Sequence, residues 1–183
     1  MGYFAMRFFY FYKNNWMNHL EKIQAKIFYD FVSFYPVLKA WRDKQDTVAF
    51  TNGCFDILHR GHIEYLAEAA GKGDRLIVGL NSNASVKALK GPDRPLVDVE
   101  SRAVMLASLY MVDAVVIFNE ETPYELISKV LPDVLIKGDD YTIPEIAGFD
   151  IVLENGGRVE TIRLTPGFST SSIIDKLRKA GDE

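Results

Sequence analysis

Thr51 to His62 reads TNGCFDILHRGH, and the reading of this stretch decides the fold. Thr47 to Phe50 in front of it is apolar, and His62 to Ala70 behind it has helical spacing. The stretch therefore occupies the turn between a strand and a helix. Such a turn points backbone N–H groups at whatever binds above it, and the helix dipole favours an anion there. Gly53 and Gly61 let the backbone take unusual torsions and approach a ligand with no Cβ in the way. His59 and His62, at i and i+3, can both face the same anion. The pair could instead share a metal ion, but His19 lies in a separate segment and Cys54 is the sole thiol, so a third ligand is hard to find.

Working outward, strand-like segments run over Thr47 to Thr51, Arg75 to Leu80, Ala114 to Phe118, Val134 to Lys137 and Val159 to Leu164. Helix-like segments fall between them at His62 to Ala70, Ala84 to Leu89, Glu100 to Tyr110, Pro123 to Val130 and Glu145 to Glu154. A last helix begins near Thr170, capped by Ser169 or Thr170. Short apolar strands alternating with amphipathic helices predict an α/β fold, a Rossmann-like doubly wound five-stranded parallel sheet covered on both faces. Ligands of such sheets bind at the carboxyl ends of the strands, where the chain order reverses. Upstream, Asn18 to Lys44 has helical spacing, and Pro36 is expected to divide it into two helices. Residues 47–180 form the predicted α/β domain and 17–46 the N-terminal helices. Residues 1–16, MGYFAMRFFYFYKNNW, differ in composition from all that follows. Their longest apolar run, Phe8 to Tyr12, is too short to span a bilayer. They read as a dispensable extension ahead of Met17.

Composition narrows the partners. With 183 residues and a formal charge of −4, the chain suits one soluble domain and argues against general nucleic-acid binding, which needs a basic face. One cysteine cannot form an internal disulfide, which fits a reducing cytoplasm. Neither GxGxxG nor GxxxxGK[ST] occurs, so ordinary dinucleotide binding and P-loop chemistry are set aside.

Polar clusters follow three further strands. NSNASVKALKGPDRP carries Lys87, Lys90 and Arg94; KGDDY places Lys137 at a strand end with Asp139 and Asp140 beyond it; TPGFSTSSII leads through Ser169, Thr170 and Ser171 into the last helix. Hydroxyls and free N–H groups at a helix start are phosphate ligands. Taken singly, each of these residues also has a plain reading as a solvated charge, a turn or a cap.

Together, the HxGH at His59 to His62 and the late STSS resemble the nucleotidylyltransferase superfamily. More narrowly, FTNGCFDILHRGHIEYL, GDRLIVGLNSNAS, LKGPDRP, the ESR at Glu100 to Arg102, ETPYELI, PDVLIKGDDY and STSSII resemble the D-glycero-β-D-manno-heptose 1-phosphate adenylyltransferases, over Thr47 to Leu177. That resemblance implies transfer of AMP from ATP to the sugar phosphate, with Mg²⁺, giving ADP-heptose and pyrophosphate for lipopolysaccharide core or a related glycan. It implies that His59 and His62 donate to phosphate oxygens and that Lys90 and Lys137 neutralise charge. Asn52, Gly53, Phe55, Asp56 and Gly61 would shape the nucleotide loop, and Ser169, Thr170 and Ser171 would hold the β- and γ-phosphates. Arg94, Arg102, Gly138 and Asp140 fall on the sugar-phosphate side, and Asp56 could hold Mg²⁺ through water. The resemblance also suggests a homo-oligomer.

The chain departs from the family pattern at Asn83 (NSNAS for NSDAS), at Asp139 (KGDDY for KGGDY) and in STSS for STTN. A cytidylyltransferase for glycerol 3-phosphate or a similar polyol phosphate, and a catalytically silent nucleotide-binding protein, are the other readings of the same motifs.

Overall fold

The computed structural model describes residues 18–181. In chain order the elements are α1 (His19–Gln24), β1 (Ile27–Phe28), α2 (Phe31–Arg42), β2 (Val48–Gly53), α3 (Arg60–Ala70), β3 (Arg75–Asn81), α4 (Asn83–Lys90), α5 (Val99–Ser108), β4 (Ala114–Phe118), α6 (Tyr124–Val130), β5 (Val134–Gly138), a 3₁₀ turn (Ile143–Glu145), α7 (Phe149–Glu154), β6 (Arg158–Ile162) and α8 (Thr170–Gly181). The strands form one parallel sheet in the order β1-β4-β3-β2-β5-β6. Its strands bury side chains on both faces. Ala49, Leu76, Val78, Val115 and Ile136 pack under α3 and α5 through Leu66, Ala69, Ala103 and Leu106. Val48, Phe50, Ile77, Val116 and Leu135 pack under α2 and α6 through Phe34, Leu38, Trp41 and Ile127. This is the doubly wound Rossmann-like architecture expected from the alternation of elements.

Three details differ from the sequence reading. The sheet has six strands, because β1 adds to the edge with Ile27 opposite Val115 and Phe28 opposite Val116. Two residues are too few to show a period. Pro36 does not divide two helices; it lies inside α2. Asp30 caps that helix, and Phe34, Leu38 and Trp41 bury one continuous stripe across the proline, so packing outweighs the lost backbone bond. The break falls instead at β1. Finally, the helix expected over Glu145 to Glu154 is split, since Gly148 turns the chain at φ +83° before α7. The extension at residues 1–16 lies outside the described residues.

The topology fixes where a ligand can sit. From β2 the chain winds outward through β3 to β4, then returns to β5 on the other side of β2. The loops after β2 and β5 thus leave in opposite directions and open a crevice between them. Gly53 and Gly138 end these two strands, placing the HxGH loop and the Lys137 motif on the two lips of one crevice.

Candidate active site

The HxGH loop is held by its own side chains. His59 is the N-cap of α3, and its Nδ1 accepts the backbone N–H of His62 at 3.3 Å. That bond leaves the ring proton of the neutral imidazole on Nε2, free to donate outward. The two imidazoles are stacked, with centroids 3.7 Å apart and planes 15° apart. Phe55 meets His62 edge-on at 5.1 Å and is held at φ +45°, a costly conformation for an aromatic residue. Its ring lies where a Cβ on Gly53 would stand, 3.0 Å from Cε2. Gly61 is equally constrained: a Cβ there would come within 3.0 Å of Phe168 Cβ and 3.2 Å of His59 Nδ1. The glycine of HxGH therefore lets the C-terminal segment dock on the first turn of α3.

Among the described residues, two buried polar atoms at this junction have no hydrogen-bond partner, His62 Nδ1 and Asn52 Oδ1. Unpartnered buried groups cost about 1–3 kcal/mol each and are tolerated mainly where function requires them. With Nδ1 enclosed, Nε2 is the His62 nitrogen left to meet a ligand.

Burial pushes the His62 imidazole down to about 4, and His59 beside it pushes the same way; the Ile57 carbonyl, outside hydrogen-bond geometry, offsets this only in part. Burial also lowers His59. Both rings are therefore neutral donors at neutral pH. Because the unfolded chain takes up a proton near pH 6.5 that folded His62 refuses until about pH 4, the unfolded state binds more protons across that window. Stability should fall as pH drops from about 6.5 to about 4, by at most about 3 kcal/mol from His62. Urea midpoints measured across this range should drop less steeply in His62→Gln than in wild type; equal slopes would remove His62 as the source.

Across the crevice, Lys137 Nζ donates to the Asn52 carbonyl at 3.3 Å and lies 5.0 Å from the centroid of Tyr141. Burial lowers the Lys137 pKa, and the charge of Asp140 pulls it back up. Lys90, at the end of α4, is near enough to act electrostatically on both Lys137 and Cys54. Burial raises the Cys54 thiol, so it is a packed neutral group. Gly138 is buried at the end of β5, and Asp140 is exposed beyond it.

The segment after β6 closes the other side. Phe168 packs on Gly61 and His59, with the Arg60 guanidinium 5.6 Å from its ring centroid. Ser169 Oγ accepts the Ser172 N–H at 3.1 Å, so Ser169 caps α8, while Thr170 and Ser171 stand in its first turn.

Three expected ligands have a different place in the structure. Asp56 is 2% exposed, and both oxygens are taken: Arg94 Nε donates at 2.6 Å, and the amides of Leu96 and Val97 donate at 2.8 and 2.9 Å. Burial alone would raise this carboxyl, but the Val97 and Leu96 amides and Arg94 outweigh it and hold it low. Asp56 therefore anchors the loop over Arg94 to Val97 and has no free oxygen for a metal or its water. The Nε of Arg94 is committed to that ion pair. Arg102 is fully buried, with Nε on the Val97 carbonyl, Nη1 on the carbonyls of Cys54 and Asn81, and Nη2 on Asn83 Oδ1. It ties the HxGH loop, the end of β3, the start of α4 and the 94–97 loop together, and it cannot reach a sugar phosphate from there. Among the described residues no group of three or more His, Cys, Asp or Glu is placed to hold a metal ion.

The polar support around the site gave no sequence signal. The Tyr65 hydroxyl lies 2.7 Å from Thr51 Oγ1 and donates to the Ile136 carbonyl at 3.3 Å, joining α3, β2 and β5 under the crevice. Asn81 donates to Ser85 Oγ, which donates to the Glu120 carbonyl. Such contacts follow from strand adjacency, which a single sequence does not display.

A doubly wound sheet with stacked neutral histidines, a partly buried lysine and a hydroxyl-capped helix around its switch point is the arrangement of a nucleotide-binding transferase. The sequence profile of the Cytidylyltransferase-like family matches residues 50–176, and the chain belongs to that family of nucleotidyltransferases. It is similar to proteins named Bifunctional protein HldE: 53% identical over 142 residues to that of Mesorhizobium japonicum, covering 78% of this chain and 29% of the relative, and 52% identical over 150 residues to that of Rhodospirillum rubrum, covering 80% and 30%. The chain thus spans under a third of the length of these relatives. Among solved structures, a lipopolysaccharide core biosynthesis protein from Thermoplasma volcanium is 26% identical, with a TM-score of 0.54 over 66% of this chain and 97% of that one. A pantoate-beta-alanine ligase from Francisella tularensis, complexed with a nucleotide and beta-alanine, shares the fold at 17% identity and a TM-score of 0.55, covering 76% of this chain and 68% of that one. Among the described residues no helix is long and apolar enough to cross a membrane.

Proposed function

We propose that this chain transfers the AMP moiety of ATP to D-glycero-β-D-manno-heptose 1-phosphate, giving ADP-heptose and pyrophosphate for lipopolysaccharide core or a related glycan. The observation that carries this reading is the junction of the stacked His59–His62 pair with Lys137 across the switch point, in a chain half identical to the HldE relatives. A sugar phosphate is largely doubly ionised at neutral pH, its second pKa being about 6, and needs no general base. One of its oxygens attacks the α-phosphorus; that O–P bond forms as the bond from the α-phosphorus to the α,β-bridging oxygen breaks, and pyrophosphate leaves with the electron pair. The protein aligns the two phosphates and stabilises the charge moving toward the leaving group.

In this reading the Nε2–H groups of His59 and His62 donate to phosphate oxygens, and the Phe55 amide adds a backbone donor. Lys137 and Lys90 neutralise the triphosphate from the opposite lip, and Ser169, Thr170 and Ser171 hold the β- and γ-phosphates at the start of α8. Gly138 and Asp140 border the acceptor side, next to Lys137. Mg²⁺ would enter with ATP, on the phosphate oxygens, because Asp56 is committed to Arg94, Leu96 and Val97. β1 and the buried face of α2 belong to the fold that carries this chemistry, and the exposed side of the N-terminal helices would be the surface for self-association.

The family description favours one second reading, a cytidylyltransferase acting on glycerol 3-phosphate or a similar polyol phosphate. Pyrophosphate release with ATP and CTP, each paired with heptose 1-phosphate and glycerol 3-phosphate, separates the readings. The proposal expects release only with ATP and the heptose. Preference for CTP would overturn it, and ATP binding without release for any acceptor would mark a silent protein.

A further inference from the structure

Between β6 and α8 the chain runs as a strap over residues 163–169, carrying the hydroxyl-bearing helix start to the HxGH loop. Few bonds seat it. On the β5 side, Asp139 Oδ1 accepts the Leu164 N–H at 3.1 Å, while the Asp139 N–H continues the β5–β6 ladder by donating to the Ile162 carbonyl at 2.9 Å. On the α3 side, Thr165 Oγ1 donates to Glu64 Oε2 at 2.5 Å, and Glu64 in turn accepts Arg60 Nε at 2.6 Å. Beyond these, Phe168 rests on Gly61. Asp139 therefore turns its carboxylate onto the strap backbone, although the motif related to KGDDY has glycine here and can supply no such acceptor. The neighbouring Glu64 carboxyl is held low, first by the Thr165 hydroxyl and then by Arg60, so this second seat is ionised at neutral pH.

We propose that Asp139 is a positioning residue: by accepting the Leu164 amide it fixes the strap, and so sets how well Thr170 and Ser171 meet the nucleotide's phosphates. The effect rests on the nucleotidyl-transfer reading of the site. It acts on nucleotide affinity and leaves the transfer step alone, because Asp139 touches the strap and none of the groups assigned to the reacting phosphate. The acceptor oxygen matters, and the charge does not.

Two variants separate acceptor from charge. The backbone at Asp139 is not left-handed, so Asp139→Ala fits without strain and removes the acceptor; Asp139→Asn keeps Oδ1 and removes the charge. Loss of one such hydrogen bond corresponds to about a fivefold change. Asp139→Ala should raise the nucleotide KM about fivefold with kcat within twofold, and Asp139→Asn should stay at the wild-type KM or below it. Amide hydrogen exchange on the apoprotein, read on peptides containing Leu164, should show lost protection in Asp139→Ala and retained protection in Asp139→Asn. An unchanged KM in Asp139→Ala overturns the proposal, with or without a change in exchange. So does Asp139→Asn behaving like Asp139→Ala, which would make the charge responsible. If wild type turned over no nucleotide at all, the functional reading would fail separately, and equilibrium ATP binding by the same variants would replace KM in deciding on Asp139.

Discussion

His62→Ala is expected to lower turnover about a hundred- to a thousandfold, the usual cost of removing one preorganised donor from a charge-stabilising site. His62 is well suited to that role. Its ring is clamped between His59 at 3.7 Å and Phe55 at 5.1 Å, so its donor is oriented before substrate arrives. Its low pKa keeps it neutral, and it therefore donates without first having to lose or gain a proton. The loss should appear in kcat more than in KM, because charge reaches the leaving phosphate only in the transition state. The fold should survive, since the first turn of α3 is capped by His59 and the core beneath it is built from Tyr65, Leu66 and Ala69. Circular dichroism together with steady-state rates checks both halves; a folded variant turning over near the wild-type rate would remove His62 from the chemistry.

Lys137→Ala should cost a similar hundred- to thousandfold for a different reason. Lys137 brings a full charge to the lip opposite the histidines, from the end of a buried strand whose position is fixed by both neighbours, β2 and β6. Its side chain is partly buried, anchored on the Asn52 carbonyl and faced by Tyr141, so its attraction for a phosphate is screened less than that of a surface lysine. Because burial lowers its pKa, the charge is lost as pH rises through that lowered value. The alkaline fall in kcat/KM should therefore belong to Lys137 and be absent from the residual activity of Lys137→Ala. Wild-type-like turnover in the variant, or an unchanged alkaline limb, would assign the charge elsewhere, with Lys90 the nearest alternative.

The legible part of this protein was the part governed by period and punctuation. Apolar strands, helical spacing and the glycines of TNGCFDILHRGH were enough to place the sheet and the loop at its switch point. β1 escaped notice because two residues carry no period, and Pro36 misled because the stripe of Phe34, Leu38 and Trp41 outweighs one missing backbone bond. At the site, residue types were easier to read than their partners. Arg102 and Asp56 were expected as ligands from the family resemblance, yet the fold uses both as internal ties. Asn83, which lacks the carboxylate of the related motif, proved to be one of the acceptors of Arg102. Asp139, another departure from the related motif, is engaged with the Leu164 backbone. Which partner a side chain finds depends on strand order, and that order exists only after folding.

The central claim is that the nucleotide is cleaved between its α- and β-phosphates and that the α-phosphoryl group passes to a sugar phosphate. Two labelled nucleotides test it directly, with heptose 1-phosphate as acceptor. With ATP labelled at the α-phosphorus, the label should appear in the nucleotide sugar; with ATP labelled at the γ-phosphorus, all of it should appear in pyrophosphate. γ-Label recovered on the sugar, or no transfer from either nucleotide by the folded wild-type protein, would contradict the account.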